Sequence, residues 1–109
     1  MFHDIANHDQ PSIVHESKGI HVYILNKKRQ RIGVFAATTN DIFPDKIWIG
    51  WSLCKLTSGD TFNSKIGAKI AYDRSSKCSI APVPTSLVAR YAAFKHRCEI
   101  YFKDKTVIC

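Results

Sequence analysis
No stretch of the 109 residues approaches the roughly 18 consecutive apolar residues that a membrane span requires, so no membrane partner is expected. The opening residues, MFHDIANHDQ, carry neither the basic nor the apolar segment of an export signal. Cysteine is sparse and scattered. Cys54, Cys78, Cys98 and Cys109 form no C-x-x-C pair, which speaks against a zinc finger or ribbon. Without an export signal a disulfide framework is not expected either, which leaves buried or idle thiols. Catalytic signatures are also missing: there is no G-x-S-x-G, H-E-x-x-H, Walker loop or G-x-G-x-x-G. His96 and Cys98 stand two apart and point to different sides of a helix, so they make no nucleophile–base pair. No enzymatic activity, cofactor or metal is expected.

Acidic residues are the scarce charge. Nine Asp and Glu face 16 Lys and Arg, giving a net charge of +7. That surplus favours an anionic partner: a nucleotide, a nucleic acid or an acidic protein face. At 45% hydrophobic and 11% aromatic residues the chain can fill one compact core, and its length fits one domain. A basic cytoplasmic domain is the expectation.

Residues 1–19 read as a polar N-terminal arm. It holds His3, His8 and His15 with Asp4 and Asp9, at spacings that share no helix face. Residues 20–109 read as the single domain. Ile20–Leu25 is β-branched and aromatic, hence a strand, and Ile32–Ala37 returns it as a hairpin across the cationic turn Asn26–Arg31. Ile47–Cys54 is a third strand, with Ile47, Ile49, Trp51 and Leu53 on the core side and Trp48, Gly50, Ser52 and Cys54 opposite. If the registers hold, His21, Tyr23, Phe35 and Trp48 share an outer sheet face, expected to be covered because exposed rings are costly.

Asp60 is placed to cap a helix over Phe62–Arg74, with Phe62, Ile66 and Ile70 as its apolar stripe. Gly67 in mid-helix costs about 1 kcal/mol against alanine and suggests the close approach of a strand, a second helix or a ligand. After Pro82 and Pro84, a second helix starts at Thr85 or Ser86, either of which can cap it, and runs to about Phe102. Leu87, Tyr91, Phe94, Cys98 and Tyr101 form its seam. Lys103–Cys109 is a short strand or frays. The fold class is therefore α+β: a three-stranded antiparallel sheet followed by two helices, βββαα.

The one constellation with chemistry in it is basic and aromatic. Arg90 and Arg97, two turns apart, can each grip a phosphate with two bonds. Arg74 closes the first helix, whose start offers free amides near Asp60, Phe62 and Asn63. Phe62 could stack on a base, with Asn63 and Asp60 on a ribose or base edge. The expected binding set is Asp60, Phe62, Asn63, Arg74, Arg90 and Arg97, converging on one cleft for a small anionic nucleotide ligand. An alternative is nucleic-acid binding through Lys27, Lys28, Arg29 and Arg31. A third is docking on a host protein as an inhibitor.

Ile49–Arg74 (IGWSLCKLTSGDTFNSKIGAKIAYDR) resembles a pattern in small proteins of tailed bacteriophages. The residues that carry it are Gly50, Trp51, Ser52, Cys54, Asp60, Phe62, Asn63, Gly67, Ile70, Ala71 and Arg74. Among such proteins the chain is most similar to the Thoeris anti-defence sponge family. That resemblance implies an antiparallel sheet followed by two helices that interlock between subunits, hence a homo-oligomer. It also implies sequestration, without cleavage, of a cyclic ADP-ribose-type immune signal in the cytoplasm of an infected bacterium.

Overall fold
The computed structural model describes residues 12–16, 19–39, 42–54, 62–76, 83–103 and 105–107. Five strands form one sheet in sequence order: β1 (Val14–Glu16), β2 (Gly19–Leu25), β3 (Arg31–Thr39), β4 (Lys46–Leu53) and β5 (Thr106–Val107). The first four are an antiparallel meander, and β5 lies parallel to the start of β4. Two helices complete the fold, α1 (Ser64–Ser76) and α2 (Val88–Tyr101), the latter entered through a 3-10 turn at Thr85–Leu87. The α+β class is as expected, but the sheet has five strands rather than three. The two added strands span three and two residues, too short for alternation to show. Val14–Glu16 lies within the stretch read as a polar arm, and the tail takes the strand alternative at Thr106 and Val107.

The helices cover opposite faces. Ile20, Val22 and Ile24 of β2, Phe35 and Ala37 of β3, and Ile47 and Ile49 of β4 pack with Leu87, Phe94 and Cys98 under α2. Val34 and Ala36 pack with Ala71 under α1, joined by Tyr23, Phe62, Ala68 and Tyr72. This follows from the pleat: Val22 pairs with Phe35 and Phe35 with Trp51, so one register fixes each face across three strands. It also corrects the outer face expected to carry His21, Tyr23, Phe35 and Trp48 together. His21, Tyr23 and Trp48 belong to the α1 face, whereas Phe35 is buried on the α2 face.

The α1 stripe is corrected too. Ile66 and Ile70 are 58% and 38% exposed, and the residues buried on the sheet are Gly67, Ala71 and Ser75. The cause is a backbone-to-backbone approach. A Cβ on Gly50 would collide with Ala71 O and Ser75 N, so α1 sits on β4 with no side chain between them. Only small residues fit that seam. At Gly67 the approaching group is not a strand, a second helix or a ligand but the ring of Phe62, which a Cβ there would strike. The helix is capped by Asn63, whose Oδ1 accepts from Ile66 N at 3.1 Å. Asp60, expected in that role, lies outside the described residues. At the other helix the 3-10 turn replaces the expected hydroxyl cap: Leu87 N donates to Pro84 O at 2.8 Å, and no side chain caps α2.

The α2 seam holds for Leu87, Phe94 and Cys98, which are buried, and for Tyr91, which packs against them. Its last member, Tyr101, turns outward and is hydrogen-bonded through Oη to His15 Nδ1 of β1 at 2.8 Å. Burial pushes the Cys98 thiol up to about 12, so it is a filler and not a nucleophile.

Candidate anion-binding site
The β2–β3 turn is organised by one side chain. Asn26 Oδ1 accepts from Lys28 N and Gln30 N, each at 2.9 Å, and Asn26 Nδ2 donates to Gln30 Oε1. Arg29 takes a left-handed φ of 62°. The turn thus holds Lys27, Lys28 and Arg29 exposed at the tip.

Beside it lies a hollow of about 360 Å³ between the hairpin and α2. Its helix wall is one stripe, Arg90, Ala93, Phe94 and Arg97, at the i, i+3, i+4, i+7 spacing. Its sheet wall is Val22–Leu25, and Lys27 and Arg29 close it from the turn. Two features make the space. β1 pairs only with Gly19–His21, so among the described residues no strand lies alongside Val22–Leu25 on that side. Ala93 is the small member of the helix stripe.

The floor is aromatic: Phe35 and Phe94 stack with centroids 5.7 Å apart and 16° between planes, and Tyr91 meets Phe35 edge-on at 6.0 Å. Four cations line the hollow, and no carboxylate, thiol or imidazole does among the described residues. Arg90 is anchored there, its Nη1 donating to Leu25 O at 2.6 Å where the strand register shifts. That bond occupies one of five guanidinium donors and fixes the plane of the rest.

The six residues expected to converge do not all do so. Arg90 and Arg97 share the hollow. Phe62, Asn63 and Arg74 belong to the opposite face of the sheet, each with a role in the fold. The Phe62 ring fills the space at Gly67 and lies edge-on to Tyr23 at 6.3 Å. Asn63 caps α1. Arg74 donates to Trp51 O at 2.8 Å and lies over the Trp51 ring at 5.5 Å. Asp60 is outside the described residues. The single cleft fed by both helices is therefore corrected: the sheet stands between them.

Much of the Ile49–Arg74 stretch has the same explanation. Gly50 admits Ala71, Ser52 Oγ donates to Gly67 O at 2.8 Å, and Arg74 clasps the Trp51 carbonyl. These residues lock a helix onto a strand. The partners that sequence reasoning missed are Lys27 and Arg29, which it assigned to nucleic-acid binding, together with Ala93 and the Phe35–Phe94 floor. The signal was present in the i, i+3, i+4, i+7 spacing of 90, 93, 94 and 97.

Under α1 lies a second polar cluster. His21, 2% exposed, has Nδ1 at 2.8 Å from Tyr72 Oη and Nε2 at 3.4 Å from Tyr23 Oη. Burial holds the His21 pKa below its ordinary value and pushes the Tyr72 phenol well up. No group of three His, Cys, Asp or Glu side chains among the described residues could hold a metal ion, and no helix of theirs is long and apolar enough to cross a membrane. His3, His8, Asp4 and Asp9 of the N-terminal arm lie outside the described residues.

No family model matches the chain, and neither a curated protein nor a solved structure matches it.

Proposed function
We propose that the protein binds a small nucleotide-like anion in the hollow between the β2–β3 hairpin and α2, and holds it without chemical change. The carrying observation is the pairing of four cations with an aromatic floor in one cavity, with no acid group lining it among the described residues. Phosphate groups suit the cation rim, where guanidinium bonds to phosphate are charge-assisted and paired. A flat base or other apolar moiety suits the wall of Val22, Ile24, Phe35 and Phe94. Binding without turnover removes a signal by mass action. The resemblance to phage sponge proteins supplies a setting for that: capture of a cyclic nucleotide immune signal in an infected bacterium, by a homo-oligomer.

Titration calorimetry with cyclic ADP-ribose, a cyclic dinucleotide and ADP tests the reading. At least one should bind. Arg90→Ala/Arg97→Ala should weaken it at least ~100-fold, the loss of about two charge-assisted contacts. Ala93→Trp, which fills the hollow and removes no charge, should do the same. Arg74→Ala should leave affinity unchanged. No binding of any of the three by the wild type, or wild-type affinity in Ala93→Trp, rejects the site.

A further inference from the structure
The described acids are segregated along the strand direction, whereas the cations occupy both ends, with Lys46, Lys103 and Lys105 at the β4–β5 end. At the hairpin end, Lys27, Lys28, Arg29 and Arg31 surround the turn. Both helices begin there. Arg31 Nη1 donates to Ser64 Oγ at 3.2 Å, which puts Lys65 beside it, and Arg90 reaches Leu25 O. The described acids gather at the other end. Glu16 pairs with Gly19, itself opposite Thr38, and Asp45 directly precedes β4. Asp73 is two residues from Ser75, which bonds Thr38, and Glu99 is two from Tyr101, which bonds His15. The hairpin tip is thus a positive pole with cations on both faces of a two-stranded ribbon.

We propose that this pole binds duplex DNA, with the β2–β3 tip in the major groove. That groove, about 12 Å wide, admits a two-stranded ribbon. Lys65 and Arg31 on the α1 flank and Arg90 on the α2 flank then meet the phosphate rows on either side. Among the described residues no aromatic side chain is exposed at this end, and the Phe35–Phe94 rings lie at the floor of the hollow, so a single strand finds no open row of rings along its path and is the poorer fit. The deep, narrow major groove of duplex RNA shuts the ribbon out. Contacts of this kind position a protein on the backbone without reading sequence.

This surface goes beyond the hollow, because Lys28 and Lys65 do not line it, and the test uses that separation. Fluorescence anisotropy with a 20-base-pair DNA duplex, between 50 and 200 mM salt, should give a log–log slope near −5. That corresponds to about −0.9 for each of six phosphates met by Lys27, Lys28, Arg29, Arg31, Lys65 and Arg90. Lys28→Gln/Lys65→Gln should make the slope shallower by about two and weaken binding on the order of ten-fold at 100 mM salt. The same variant should bind the small nucleotide as the wild type does. Three results overturn the proposal: no duplex binding at 50 mM salt, an unchanged slope in the double variant, or equal affinity for single-stranded DNA. Lys28 and Lys65 lie outside the hollow, so the double variant tests the duplex surface by itself, and a failure of the hollow appears in the calorimetry.

Discussion
The two faces of this sheet are covered by helices of 13 and 14 residues on opposite packing rules. Under α1 the contact is made by what is missing: Gly50 and Ala71 let backbone meet backbone, Gly67 admits the Phe62 ring, and hydroxyls from Ser52 and Ser75 fasten the seam. Under α2 the helix stands off on large side chains, Leu87, Phe94 and Cys98. A close seam leaves no room for a guest. A helix propped on rings leaves a hollow wherever the stripe carries a small residue, as it does at Ala93. The face built on Gly50, Ser52 and Arg74 is thus the one that holds the fold, and the face with room for a ligand is the other.

That contrast predicts opposite failure modes. Phe94→Ala should be the largest, about 4 kcal/mol lost in urea unfolding, because a ring 2% exposed leaves a cavity in the α2 core. A loss under about 1 kcal/mol would mean that the α2 face is loosely assembled and the hollow merely part of that looseness. Gly50→Val adds volume where Phe94→Ala removes it. It should cost about 2–3 kcal/mol by forcing α1 off β4, measured in the same way. A neutral outcome would refute the backbone seam.

The third prediction distinguishes the faces by pH. His21 is buried neutral, with a folded pKa below the unfolded value of 6.5. The unfolded chain therefore takes up this proton first. The His21 contribution is complete above pH 6.5 and declines below it, by at most about 1.4 kcal/mol per pH unit, until the folded pKa is passed. His21→Phe should flatten urea-midpoint profiles between pH 6.5 and 5 relative to wild type. If both profiles fall alike, the cluster under α1 is not the acid-sensitive part of the fold.

Much of the architecture could be read from period and turn chemistry. The β2–β3 hairpin, the Ile47–Ile49–Trp51 face of β4 and the seam Leu87–Tyr91–Phe94–Cys98 follow from alternation and 3.6-residue spacing, because large apolar groups there do enter the core, whereas Leu53, expected on the same face, is 37% exposed at the strand end. The α1 stripe misled for a physical reason. Apolarity ranks Ile66 and Ile70 above Gly67 and Ser75, but inter-axial distance is set by the smallest residues, and it was Gly50, on another element, that chose them. The candidate site was half legible. Arg90 and Arg97 declare themselves by spacing, whereas Lys27 and Arg29 join them only through the register of a strand more than 60 residues earlier. Arg74 looked equivalent to Arg90 in the sequence. Which side of a sheet a helix crosses to is a property of chain path, and no local pattern encodes it.

The grip of Arg74 on Trp51 bears on how this sheet avoids growing. Among the described residues β5 borders only Lys46 and Ile47, so most of β4 lies at a rim. A flat rim of unpaired amides and carbonyls invites a strand from a neighbouring molecule. Here the outward carbonyl of Trp51 is already taken by a cation, and the indole lies beneath it. A neighbour adding there would have to evict a guanidinium that brings its own charge, so assembly of copies through this rim is disfavoured.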